Sequence, residues 1–156
     1  MRPIAPSDAA AEQAFVRHLS AHSRYLRFLS SKRELGAREL AEFTSNDPLK
    51  GFALVVTRRG EKGDEQIAVG RYALLPDGAS CEFALAVADA CQGMGIGTRL
   101  LHALIRHARA SGLARMDGFV HETNDDMLRL MRNQGFEIRR EPEDNSVLLV
   151  TKTLRD

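Results

Sequence analysis

The run Gln92-Gly93-Met94-Gly95-Ile96-Gly97 leads directly into an apolar-periodic stretch over 96–110, and that junction restricts the fold more than any other feature of the chain. Glycines at alternate positions leave the backbone without Cβ atoms, so another group can approach closely. The stretch that follows predicts a helix, whose first N–H groups lack partners and whose positive dipole end suits phosphate. Pyrophosphate binding is the expectation. A P-loop is excluded, because no Gly-Lys-Ser/Thr follows the glycines. The dinucleotide fingerprint Gly-x-Gly-x-x-Gly is not met either, since Thr98 holds the place of its third glycine. Asp117, the acid nearest the required spacing, opens the next strand instead of ending it.

Periodicity orders the rest of the chain. Arg2 to Ala5 reads as a short strand closed by Pro6. Ser7 or Asp8 then caps a helix over Ala9 to Leu19, with Phe15, Val16 and Leu19 on its apolar face. Helices over Ser23 to Leu29 and Ala37 to Thr44 follow, the second ended by the turn Asn46-Asp47-Pro48. Strands are predicted over Phe52 to Arg58, Gln66 to Leu75 and Ser80 to Ala88, joined by a polar turn at Gly60 to Glu65 and a hairpin signal at Asp77-Gly78. The helix Ile96 to Ser111 stops at Gly112, Arg115 to His121 is a strand, and the helix Asp125 to Asn133 stops at Gly135. Phe136 to Arg139 and Ser146 to Thr153 close the sheet around a turn at Glu141 to Asn145. No repeat or linker interrupts this order, which predicts one domain over residues 1–156.

Gln92 to Gly97 fits the signature Gln/Arg-x-x-Gly-x-Gly/Ala, and together with the element order it resembles the GNAT superfamily of acyl-CoA-dependent N-acyltransferases. Three further stretches are similar to the acetyltransferase domain of bacterial protein lysine acetyltransferases. They are Arg2-Pro3-Ile4 with Pro6 and Asp8, Ser23-Arg24-Tyr25-Leu26-Arg27-Phe28, and Cys81-Glu82-Phe83-Ala84-Leu85. The resemblance implies an α+β fold with a mixed, mostly antiparallel sheet of about seven strands, splayed in the middle and flanked by about four helices. It also implies acetyl-CoA as co-substrate, no metal, and a protein lysine or small amine as acceptor. Dimers are common in the superfamily, which makes a homodimer an assembly to test.

The same resemblance places the pantetheine beside Ser80 to Ala88, where that strand splays from Arg115 to His121. Backbone N–H groups of Leu85, Ala86 and Val87 would bond the pantetheine and polarise the acetyl carbonyl. Gln92, Gly93, Met94, Gly95, Ile96, Gly97 and Thr98 would hold the pyrophosphate, and Asn124 would touch cofactor or cap its helix. Strand periodicity adds an independent clue. Cys81, Phe83, Leu85 and Val87 share one bulky face, whereas Glu82, Ala84, Ala86 and Ala88 share the other. One carboxylate among alanines leaves space for something other than protein. Glu82 is thus the candidate general base, the role its counterpart has in the subgroup; from the residues alone it also reads as a surface glutamate. A glutamate near ~4.3 and a lysine near ~10.4 are about six units apart, or roughly 8 kcal/mol. Burial must narrow that gap.

The tyrosine acid used by many members, seven residues after the asparagine, is missing: position 131 is methionine, read here as core. A thiol near ~8.5 can still leave as thiolate with modest help. Cys81 and Cys91 have no visible histidine partner and are not read as nucleophiles, and His102 and His107 read as packing or surface. His121 and Glu122 end a strand at the cleft; Tyr25 and Phe28 read as core beside the acceptor; Arg99 and Arg106 read as a solvated helix face.

A net charge of +1 gives no case for nucleic acid or a membrane as partner. No apolar run nears the ~20 residues of a membrane span, and residues 1–6 lack a signal-peptide core, so a reducing cytoplasm is expected. The reading is an acetyltransferase acting on a primary amine, a protein lysine before a small molecule. Its rivals are a small-molecule amine acetyltransferase and an acyl-CoA-binding regulatory module without turnover.

Overall fold

A computed structural model describes residues 1–155. In chain order they form β1 (Arg2–Pro3), α1 (Ala9–His18), α2 (Ala21–Phe28), α3 (Ala37–Ser45), β2 (Gly51–Gly60), β3 (Gly63–Leu74) and β4 (Ser80–Val87). Then follow α4 (Ile96–Ala110), β5 (Arg115–His121), α5 (Asp125–Asn133), β6 (Glu137–Glu141) and β7 (Asp144–Thr153), with single 3₁₀ turns at Pro6–Asp8 and Asp89–Cys91. Seven strands make one sheet in the order β1-β2-β3-β4-β5-β7-β6. Every pairing is antiparallel except β4 with β5.

The expected architecture is present, with five α-helices where about four were implied. Two turns are tighter than their polar composition suggested. β2 and β3 pair down to Gly60 opposite Gly63, and β6 and β7 down to Glu141 opposite Asp144. An exposed hairpin arm carries no buried face and so no apolar alternation, yet its backbone ladder continues. α2 begins two residues earlier than the apolar pattern because Ser20 caps it, its Oγ accepting from Ser23 N at 3.0 Å. Gly112 and Gly135 end α4 and α5 with left-handed φ of 80° and 77°, as expected of C′ glycines.

The sheet has a core on each side. α4 buries Leu100, Leu101, Leu104 and Ala108 against Phe83, Leu85, Met116 and Val150, and α5 adds Leu128 and Met131. On the other side Phe15, Val16 and Leu19 of α1, with Leu35, cover Ala53, Val55 and Val69. Beneath that second core, α1 is tied to the sheet by a buried ion pair. Arg71 Nη2 donates to Glu12 Oε2 at 3.1 Å, and Glu12 is 1% exposed.

Candidate active site

β4 and β5 pair at only three positions, Ser80 with Arg115, Cys81 with Met116 and Glu82 with Asp117, and then part. A side chain lies across the base of the fork on its α4 side. The Phe83 ring lies on Gly118, where an added Cβ would stand 2.4 Å from the ring. Glycine there makes room for the aromatic wedge.

The hydrogen-bond alternation of β4 can be read from its two ends. Leu75 N donates to Ser80 O at 2.9 Å, and Ala88 N donates to Ile67 O at 2.8 Å. In an antiparallel pair bonded and non-bonded positions alternate, so the even residues of β4 are bonded to β3. The N–H groups of Leu85 and Val87 therefore point toward β5, which is no longer paired beside them. This refines the expectation for Ala86: its N–H is directed at β3, and its methyl group lines the cleft.

The cleft is a cavity of about 620 Å³ between α2, β4, the loop 88–95, α4, the end of β5 and the start of α5. Leu85, Ala86, Val87, Gln92, Gly93, Gly95, Ile96, Gly97, Thr98 and Asn124 all line it. Met94 does not, and its side chain is 71% exposed. Gly93 and Gly95 turn the loop with left-handed φ of 78° and 82°, which glycine adopts without strain. Gly97 has ordinary helical backbone, and a Cβ there would meet only Leu130 at 3.9 Å. No protein neighbour demands a glycine at 97, so the free space belongs to the cavity. Among the described residues no side chain caps α4 and no acid sits in its first turn, which leaves those N–H groups to an external acceptor.

Two predicted residues play parts nearer to scaffolding. Gln92 Nε2 donates to Val87 O at 3.1 Å and to Ser23 Oγ at 3.3 Å, closing the end of β4. Asn124 caps α5, its Oδ1 accepting from Met127 N at 3.3 Å. One arrangement had no signal in the sequence. Asp89 accepts from Ser20 N at 3.0 Å, from Ser20 Oγ at 2.8 Å and from Ser23 Oγ at 3.0 Å. Burial raises the Asp89 pKa, but these bonds outweigh it and hold the carboxyl below its usual range. They fasten the start of α2 across the cleft from α4.

The alanine face of β4 is not open throughout. Ala86 and Ala88 pack against the second core, while Ala84 and Ala86 also border the cavity beside Leu26 and Arg27 of α2. Glu82 lies one step below the cavity wall, half-buried. Burial pushes its carboxyl up, the Arg27 guanidinium opposes this, and the Asp117 charge adds to it. Burial chiefly, with the Arg71 charge, brings Arg27 down to about 10, whereas Glu12 and Glu82 hold it up. Arg71 pairs with Ala84 across the strands, which puts it diagonal to Glu82 on the same face. Glu12, Arg71, Arg27 and Glu82 thus form a charge-balanced row beneath the site, two guanidiniums between two carboxylates.

The remaining candidates divide cleanly. Cys81 is fully buried, with its thiol pushed up to about 12 by burial first and the Asp117 charge second. His107 stacks on Phe52 at 3.5 Å and meets Tyr72 Oη at 2.8 Å, and burial lowers its pKa, so it is a packing residue. Met131 is core, as read. Tyr25 is not: it is 41% exposed and meets the His121 ring edge-on at 5.5 Å. Phe28 packs partly buried on the second core. Among the described residues no group of three or more His, Cys, Asp or Glu could hold a metal.

The family model for the GNAT acetyltransferases matches residues 15–136, which includes the fork, the glycine turn and α5. The chain belongs to the GNAT acetyltransferase family. It is therefore an acyltransferase of the class that uses acyl-CoA. An acetyltransferase of Pseudomonas aeruginosa is 28% identical over 149 residues, 96% of this chain and 80% of that one. The crystal structure of the GNAT domain of S. lividans PAT superposes with a TM-score of 0.87 at 28% identity, over 97% of this chain and 88% of that domain. The fold is shared with yncA of Salmonella typhimurium, whose structure holds its cofactor acetyl-CoA. There the TM-score is 0.76 at 19% identity, over 99% of this chain and 93% of that one. Among the described residues of this GNAT protein no helix is long and apolar enough to cross a membrane.

Proposed function

We propose that this single GNAT domain transfers acetyl from acetyl-CoA to a primary amine, a protein lysine before a small molecule, with Glu82 as general base. The observation that carries the reading is the fork. Two N–H groups, of Leu85 and Val87, are directed into a gap that no strand fills, next to an uncapped helix terminus with space at Gly97.

The residues fit the co-substrate. Gly93, Gly95, Gly97 and the first turn of α4 present backbone donors where a pyrophosphate needs them. Leu85 and Val87 donate to the amides and thioester carbonyl, and these donors gain strength as the carbonyl oxygen acquires charge. Acetyl-CoA supplies an activated thioester. Glu82 accepts the ammonium proton of the acceptor through a water; with its pKa raised by burial, the gap to a lysine narrows. In this reading no tyrosine acid is used, since Met131 is core.

Support for the protein-lysine acceptor comes from the resemblance of residues 2–8, 23–28 and 81–85 to the bacterial protein lysine acetyltransferases. The likeness to the S. lividans PAT domain along nearly the whole chain agrees with it. Two buried free thiols fit a reducing compartment.

The test is thiol release from acetyl-CoA across a panel of proteins, an acyl-CoA synthetase first, and of small amines, with Glu82→Gln as control. Acceptor-dependent release that falls about 10²–10⁴-fold in the variant, with cofactor affinity kept, is the expected result. Unchanged turnover would remove Glu82 as base. Tight acetyl-CoA binding with no release on any acceptor would favour the regulatory module.

A further inference from the structure

The fork ends on an aromatic ring, and we infer that Phe83 is the stop that restricts this enzyme to acetyl and excludes longer acyl chains. The inference rests on the cofactor site proposed above.

The cavity has two chemically distinct ends. At one lie Gly93, Gly95, Gly97 and the uncapped first turn of α4, suited to anions. At the other, past Leu85, lie Phe83 and, beside Gly118 on β5, Phe119 and Val120, all apolar. The phosphates and the acyl group are at opposite ends of an acyl-CoA, so the acyl group belongs at the apolar end. There β4 and β5 are still paired at Glu82 with Asp117, and the next residue is Phe83. Phe83 lines the cavity there, its ring laid over Gly118, where a Cβ would come within 2.4 Å. Phe136 backs it with ring centroids 5.5 Å apart, and Cys81, Met116 and Val150 behind are fully buried. The ring has no room to withdraw.

Chain length makes the consequence measurable. In a fork with free apolar space, each added methylene would be buried and tighten binding about fourfold. Against a packed ring it must displace protein, and affinity falls instead.

Titration calorimetry on the full chain with coenzyme A and its acetyl, propionyl and butyryl thioesters tests this. Wild type should bind butyryl-CoA at least about tenfold more weakly than acetyl-CoA. Phe83→Ala should bring the two within about threefold. Because truncating a core ring threatens folding, Phe83→Leu provides a milder second variant expected to shift the ratio the same way. Equal wild-type affinity for the two thioesters overturns the inference. So does an unaltered order in a folded Phe83 variant, which would put the stop elsewhere. Absence of binding by every thioester sinks the cofactor site itself, and the stop with it, a result visibly different from the other two.

Discussion

Replacing Glu12 by leucine tests whether the row of charges beneath the site is held together by its buried pair. Glu12 is 1% exposed and is the counter-ion of Arg71 at 3.1 Å. Without it Arg71 keeps the Phe43 carbonyl at 2.9 Å and its stack on the Phe43 ring at 4.1 Å, but its charge has no near compensation. Its Nε already lacks a partner. Removing one member of a buried pair costs about 3–5 kcal/mol, mainly because the other charge stays buried. For a chain of this length each kcal/mol lowers the melting temperature by about 2–4 °C, so the fall should be about 6–20 °C. The double variant Glu12→Leu/Arg71→Met removes both charges and should recover most of that loss, since buried pairs often exchange for apolar residues at little net cost. Thermal unfolding of wild type, both single variants and the double variant gives the full cycle. A single-variant loss below about 1 kcal/mol, or a double variant as unstable as the two singles summed, would refute the reasoning.

Gly97→Asp should separate folding from binding. A carboxylate in the first turn of α4 favours the helix dipole by about 0.3–1 kcal/mol, yet it puts negative charge where phosphate is proposed to lie. Melting temperature should hold or rise while acetyl-CoA affinity collapses in titration; retained affinity would move the phosphate site. Asp89→Asn should loosen the start of α2 from the cleft, raising the KM for acetyl-CoA more than it changes kcat. A kcat effect alone would place Asp89 in the chemistry. The acid limb of kcat/KM should report Glu82, because the base is active above its raised pKa and lost as pH falls through it. Arg27→Gln removes the opposing cation and should move that limb to higher pH, while Asp117→Asn should move it lower. Shifts in the same direction would show that the limb belongs to another group.

Legibility followed the physics of each feature. Arg115–His121 and Asp125–Asn133 were read to the residue because a buried strand and a capped amphipathic helix each impose a strong period. The glycine turn was legible because the positive φ of Gly93 and Gly95 favours glycine. The Asp89 clasp was not, since its partners Ser20 and Ser23 lie 66–69 residues away and hydrogen bonds over that span leave no local pattern. Tyr25 was read as core beside the acceptor, but it stands on α2 with its ring edge-on to His121 at the end of β5, and there it is exposed. The Glu12–Arg71 pair was invisible for a similar reason, as an acid on a helix face reads as solvated until α1 is laid on β3.

One strand serves two purposes by its alternation. The odd residues of β4 offer N–H groups to the fork and side chains to the α4 core, while the even residues bond to β3 and turn toward α1–α3. The proposed cofactor is thus gripped by backbone, and the proposed base stands on the opposite face among charges held by a different core. This division explains why the chain carries so few side chains with obvious chemistry. A grip made of main-chain donors leaves no reactive residue to read, only the glycines and the missing cap that make those donors available. It also predicts which substitutions matter. Changes that alter backbone conformation or place charge at 93–98 should damage cofactor binding, whereas exchanges such as Leu85→Ile or Val87→Ile should leave it near wild type, because their side chains face the core and their N–H groups are unchanged.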